Sequence, residues 1–246
     1  MYIDTHCHLD RTKSLKKVVE NARKARVGIM VSNGNDPKSN RKVLKMAEEF
    51  EEIKSALGFY PLDALEVKDS EIDKEIKFIK ENKNSIVAIG EVGIDFKETR
   101  EDDKQKKNFQ KFVDLAKEID KVIIVHSRKA EEQCLEILEK SKMKKVIMHC
   151  FSGKKKYIER IKDNGWYITI PSSVKYNEQF QLFVEMMPIE YILCETDSPF
   201  LHPDRQEENE PANVVESYKK ISKIKKIKLK EVEERVEKNF KKLFNL

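Results

Sequence analysis

A chain of 246 residues, 39% of them hydrophobic, can bury a sizeable core, which excludes intrinsic disorder and suits one α/β barrel. Seven Gly, seven Pro and four Cys exclude low-complexity and disulfide-framework proteins, and no run approaches the roughly 20 apolar residues of a membrane span. The net charge of +5 suits a polyanionic substrate without demanding one, and the 38% charged composition, rich in Lys and Glu, resembles the ion-paired surface of a thermophile protein.

The first candidate strand, 2–5, leads into His6 and His8. In extended chain, residues i and i+2 point to one side, so His-x-His aims two imidazoles at a common point. The next strand, 27–31, precedes a helical pattern over 38–51 that Asp36-Pro37 can start. Strand 55–57, helix 70–82 and strand 87–90 follow, the last placing Glu91 directly after it. Helix 102–119 leads to strand 122–125 and His126, then helix 129–141 to strand 146–148 and His149. Helix 154–164 stops at Gly165, strand 166–170 follows, Asn177 starts helix 177–187, and strand 192–194 precedes Glu195 and Asp197. An earlier helical pattern lies over 12–25, and the tail carries two more, 213–223 and 230–243.

Eight short strands alternating with helices predict a parallel sheet, and at this length a closed (β/α)8 TIM barrel with additional C-terminal helices, one domain over 1–246. An open doubly wound sheet is disfavoured because no Gly-x-Gly-x-x-Gly follows the first strand.

Active sites of such barrels sit at the C-terminal strand ends. There the sequence places His6 and His8, Glu91, His126, His149, and Glu195 with Asp197: seven metal-capable side chains from five strands. Any one of them has a structural explanation; their joint placement predicts a metal site. The set exceeds what one tetrahedral ion needs, so two divalent cations sharing a bridging carboxylate are expected, with Glu91, central in strand order, as the bridge. Asp197 could ligate one ion and accept a proton from the attacking water. Cys7 and Cys150 adjoin histidines and raise zinc thiolate ligation, but Cys7 should face away from His6 and His8, and all four cysteines read as packing residues. The runs Lys154–Lys156, Lys219–Lys220 and Lys225–Lys226 read as solvated helix faces.

The segments Asp4-Thr5-His6-Cys7-His8-Leu9-Asp10, Gly90-Glu91-Val92-Gly93-Ile94-Asp95, His126-Ser127-Arg128, His149-Cys150-Phe151-Ser152-Gly153 and Glu195-Thr196-Asp197-Ser198-Pro199-Phe200-Leu201 resemble the ordered motifs of the TatD family of metal-dependent hydrolases, in the amidohydrolase superfamily. Asn209-Glu210-Pro211 and Asn239-Phe240 also match, so the resemblance spans essentially the whole chain. It implies a barrel, two divalent cations (Mg, Mn or Zn) and hydrolysis, typically of DNA from its 3′ end. Carried over, it implies that His6, His8, Glu91 and Asp197 hold one ion, and Glu91, His126 and His149 the other. Arg128 would face the mouth as a phosphate partner, with an ion pair to Glu131 or Glu132 as the alternative. Glu195 would orient Asp197 or a ligand histidine rather than ligate. Ser152-Gly153 reads as a turn, and His202 as a rim residue outside the ligand set.

Two departures touch the substrate surface. Where family members carry Gly-x-His-Pro-His, this chain reads Gly58-Phe59-Tyr60-Pro61-Leu62, so Tyr60 lines the mouth in place of a histidine. After strand seven, Ile170-Pro171-Ser172-Ser173-Val174 is poorer in Gly than the family pattern. The leading expectation is a metal-dependent 3′–5′ deoxyribonuclease with DNA as substrate. Ester or amide hydrolysis in the same barrel is the alternative, and a non-catalytic metal-binding scaffold is third. With no signal-peptide pattern at Met1-Tyr2-Ile3-Asp4, a cytoplasmic protein is expected; a monomer is compatible and no protein partner is evident.

Overall fold

In the computed structural model, which describes residues 1–97, 99 and 102–246, strand and helix alternate from the N-terminus. The strands are β1 (Tyr2–Cys7), β2 (Val27–Asn33), β3 (Ile53–Leu57), β4 (Ala88–Gly93), β5 (Val122–His126), β6 (Val146–Met148), β7 (Tyr167–Pro171) and β8 (Ile192–Glu195). They form one parallel sheet in sequence order. Around the end of β1 and just past the end of β8, the two strands are stitched together. Asp197 N–H donates to His6 O at 3.0 Å, and His8 N–H to Ser198 O at 2.8 Å. The result is the nearly closed (β/α)8 barrel that the alternation predicts.

The outer layer comprises α1 (Leu15–Lys24), α2 (Pro37–Glu49), α3 (Asp69–Glu81), α4 (Asp102–Glu118), α5 (Glu131–Lys140), α6 (Lys155–Asp163) and α7 (Glu178–Met186). Their ends obey local chemistry. The Asp36 side chain accepts from Lys38 N–H and Ser39 N–H, and Asn177 from Gln179 N–H and Phe180 N–H. Gly165, at φ +68, takes the left-handed conformation that ends α6. The tail helices α8 (Val215–Lys225) and α9 (Leu229–Phe244) return to the barrel seam. Tyr218 Oη accepts from Ile3 N–H at 2.9 Å, and Asn239 Nδ2 donates to Ile189 O and Ile192 O at 2.7 and 2.9 Å.

Apolar strand residues fill the barrel, and Phe109, Phe112, Phe183, Phe240 and Trp166 pack the helices onto it. Several strands run further than their apolar stretches suggest. β1 continues through His6 to Cys7, β4 passes through Glu91 to Gly93, β5 ends on His126 and β8 on Glu195. Glu91 therefore lies within β4 rather than after it. The backbone ladder is indifferent to side-chain polarity, so pairing persists where the inward side chains turn from apolar to metal-capable.

All four cysteines are free, and Cys7 turns its thiol to Val31 O, away from His6 and His8. Lys154–Lys156 are exposed, but Lys225 differs from a solvated face: it donates to Met187 O at 2.7 Å, beyond the end of α7. Lys107–Asp69 and Lys111–Asp73, each 2.6 Å, tie α4 to α3, exposed pairs worth roughly 0–1 kcal/mol each. Among the described residues, no helix is long and apolar enough to cross a membrane.

Candidate metal centre

The C-terminal mouth brings His6, His8, Glu91, His126, His149 and Asp197 together. On one side stand His6 Nε2 and His8 Nε2, 3.2 Å apart. Asp197 Oδ1 lies 3.5 Å from both, and Glu91 Oε2 lies 3.7 Å from His6 Nε2 and 3.4 Å from His8 Nε2. On the other side, Glu91 Oε1 meets His126 Nδ1 at 2.8 Å and His149 Nε2 at 2.9 Å, with those nitrogens 3.3 Å apart. The two oxygens of Glu91 thus face two separate donor sets.

The spacings of the first set fit a divalent cation, while Glu91 Oε1 sits at hydrogen-bond distance, 2.8 and 2.9 Å, from the two nitrogens of the second. Ligand bonds of about 2.0–2.2 Å place tetrahedral donors roughly 3.3–3.6 Å apart. The five donor–donor distances of the first set, 3.2–3.7 Å, match that closely. Imidazole and carboxylate donors suit Zn, Mn or Mg. His6, His149 and Glu195 form a third group whose donor atoms lie within 4.8 Å of one another, sharing a histidine with each of the other two. No cysteine belongs to any such group among the described residues.

Partners behind the donors fix which nitrogen faces inward. His8 Nδ1 bonds Asn33 O at 3.1 Å, leaving Nε2 for the centre. His126 reverses this arrangement. Its Nε2 bonds Asp95 Oδ2 at 2.9 Å, so Nδ1 points at Glu91. Asp95 also accepts from Tyr60 Oη at 3.0 Å and from Lys97 N–H at 2.8 Å. His149 turns Nδ1 toward Glu195 Oε2 at 3.7 Å, and His6 stacks on His149 with centroids 4.0 Å apart. Glu195 is fully buried. Behind His6, buried Asp4 accepts from Thr196 Oγ1 at 2.6 Å and Thr196 N–H at 2.9 Å, locking β1 against the end of β8.

The electrostatics follow from a buried, mixed-charge cluster. Burial opposes ionising Glu91, but His149, His126 and His6 hold its carboxyl well below the carboxylate range. Asp197 is depressed too, as His6 and His8 outweigh burial. Burial also opposes protonating His149, yet Glu91 and Glu195 raise it well above an ordinary histidine. His6 goes the other way, lowered by burial and by the charge of His149. Asp4 is pushed up by burial.

Asp95, Asp4 and the Asn33 carbonyl are parts of the centre to which sequence reading gave no role. Asp95 and Asp4 do lie inside the motifs around Glu91 and His6. Tyr60 is at the mouth, as expected, but its hydroxyl is committed to Asp95. Burial, with Asp95 and Glu91 nearby, raises its phenol above the ordinary range. Arg128 is exposed beside His126; Glu132 pairs instead with Lys156 at 3.5 Å, and no ion pair joins Arg128 to Glu131 or Glu132 among the described residues. Ser152 and Gly153 form the turn into α6, their carbonyls accepting from Gln179 Nε2 at 2.7 and 3.0 Å. His202 stays on the rim, its Nδ1 accepting from Asp204 N–H.

A parallel barrel carrying imidazoles and carboxylates of five strands at its C-terminal mouth defines a class of protein, the metal-dependent barrel hydrolases. Within that class the chain belongs to the TatD family: the model described as TatD related DNase matches residues 3–245. It is 35% identical over 246 residues to an uncharacterized metal-dependent hydrolase of Methanocaldococcus jannaschii, covering 99% of this chain and 96% of that one. It is 31% identical over 257 residues to the deoxyribonuclease TATDN3 of Homo sapiens, covering 98% and 94%. The fold also superposes on a TatD homolog from Escherichia coli K12 with a TM-score of 0.91, at 24% identity and covering 100% and 98% of the two chains.

Proposed function

We propose that residues 1–246 act as one hydrolase domain, a divalent-cation-dependent deoxyribonuclease that cuts phosphodiester bonds from the 3′ end. The observation that carries this reading is Glu91, whose two oxygens face two donor sets 2.8–3.7 Å away. His6, His8 and Asp197 with Glu91 Oε2 would hold one cation, and His126 and His149 with Glu91 Oε1 a second. Bound there, divalent cations supply Lewis-acid polarisation of the phosphoryl group and ease the ionisation of water.

The chain's own groups do the rest. Asp197 is the most open donor, its side chain 16% exposed, and takes the proton from the attacking water at its carboxylate. Asn33 O and Asp95 keep His8 and His126 in the tautomers that direct a bare nitrogen to the centre. Glu195 orients His149 from behind. Arg128, without a competing ion pair to Glu131 or Glu132, offers its guanidinium fork to the phosphate, and Tyr60 presents its ring to the substrate. The human relative named a deoxyribonuclease supports DNA as the substrate.

Tyr60, standing where the family pattern has a histidine, favours a second reading, in which the same centre hydrolyses an ester or amide. Stripping the protein of metal, restoring Mg²⁺, Mn²⁺ or Zn²⁺ separately, and following end-labelled single-stranded DNA distinguishes the two. The deoxyribonuclease reading expects stepwise shortening from the 3′ end that is lost in His126→Ala. Intact DNA under every cation, with small esters or amides turned over, contradicts it.

A further inference from the structure

Among the described residues, the large apolar side chains left exposed are Met1 and Leu246 at the chain ends, and Phe200 and Tyr176, which are 48% and 37% exposed. Lone exposed apolar residues need no explanation. These two share a location and a partner. Tyr176 follows the turn after β7 and Phe200 lies in the segment after β8, so both flank the C-terminal mouth. Each has a guanidinium on its ring: Arg11 lies 5.8 Å from the Phe200 centroid, and Arg205 lies 4.5 Å from that of Tyr176.

Phe200 also adjoins the metal centre. Its ring stands edge-on to His8 with centroids 6.3 Å apart, and its N–H donates to Asp197 O at 2.9 Å. The turn that presents Asp197 therefore presents this ring as well. An exposed ring with a cation beside it, next to the reacting position, matches what a nucleobase and its phosphate require. Every base offers a π-face to an aromatic side chain, and Arg adds charge and stacking.

We propose that Phe200, flanked by Arg11, is a stacking platform for an unpaired nucleobase of the strand being cut, and that Tyr176 with Arg205 repeats it on the neighbouring loop. This rests on the deoxyribonuclease reading above. A paired base has both faces occupied within the duplex, so the platform selects unpaired ends and tolerates any base. Phe200 binds and does not react, so its loss acts on KM.

The test uses the metal-restored full chain and a single strand carrying 2-aminopurine at its 3′ end, whose fluorescence is quenched by stacking. Rapid mixing reads the quench before cleavage, and steady-state kinetics give kcat and KM. Phe200→Leu, which keeps apolar bulk, is expected to lose most of the quench and raise KM roughly tenfold, with kcat within about twofold. Phe200→Trp restores both readings, and Tyr176→Leu gives a smaller rise in KM. Unchanged quench and KM in Phe200→Leu, or failure of Phe200→Trp to restore them, overturns the platform while the nuclease reading stands. Absence of oligonucleotide cleavage by the wild type under every cation overturns both.

Discussion

Replacing Glu91 with Ala should cost the protein most of its stabilisation by metal. The carboxylate faces both donor sets, whereas Asp197 Oδ1 faces only His6 and His8, and His126 Nδ1 faces only the second set. A cation present at one hundred times its dissociation constant stabilises the folded state by about 2.7 kcal/mol. For a chain of this size each kcal/mol moves the melting temperature by about 2–4 °C. Each occupied set thus contributes roughly 5–11 °C, and both together roughly 11–22 °C. Melting the EDTA-treated protein with and without Mn²⁺ is the assay. The wild type should show the full rise, Asp197→Ala and His126→Ala about half each, and Glu91→Ala under about 5 °C. A wild-type rise retained in Glu91→Ala, or abolished by Asp197→Ala alone, would refute a carboxylate shared by both sets.

Three further outcomes follow from the same geometry. Asp95→Asn, which weakens the partner of His126 Nε2, should lower affinity for one of two cations by about 10–100-fold in a competition titration and leave the other unchanged. In the metal-free protein, His8, His126 and His149 are raised because Asp197, Asp95 and Glu91 outweigh the burial that opposes protonation. Their stabilisation is complete below the unfolded value of about 6.5 and is lost as pH rises through the raised folded values. The urea midpoint should therefore fall as pH rises above about 6.5, less steeply in Glu91→Gln; a rising midpoint refutes this. Trp166→Ala removes a fully buried side chain and its bond to Met143 O, so a loss of about 3–5 kcal/mol in urea unfolding is expected, with turnover per folded molecule retained.

Much of this centre is legible in sequence because strands have a period of two. His6-x-His8 needs only extended chain to converge, and the order of strand ends puts Glu91 between the two donor sets. Helix ends are equally local: Asp36, Asn177 and Gly165 act within a turn of themselves. What escapes is set by contact between elements. Asp95 reaches His126 because β4 and β5 converge at Gly93, φ +152, where an added Cβ would lie 1.9 Å from His126 O. The support for His8 is a main-chain carbonyl, which leaves no residue-type signal. Apolar runs end short of the strands where the inward residues become polar, although the ladder continues. The bond from Tyr60 to Asp95 is invisible without the fold.

Diffraction from crystals soaked in Mn²⁺, collected at the manganese edge, tests the two-cation centre most directly. Two anomalous peaks about 3.5–4 Å apart are expected, one on each side of the Glu91 carboxylate. A single peak, or one held by His6, His149 and Glu195 instead, would contradict that centre.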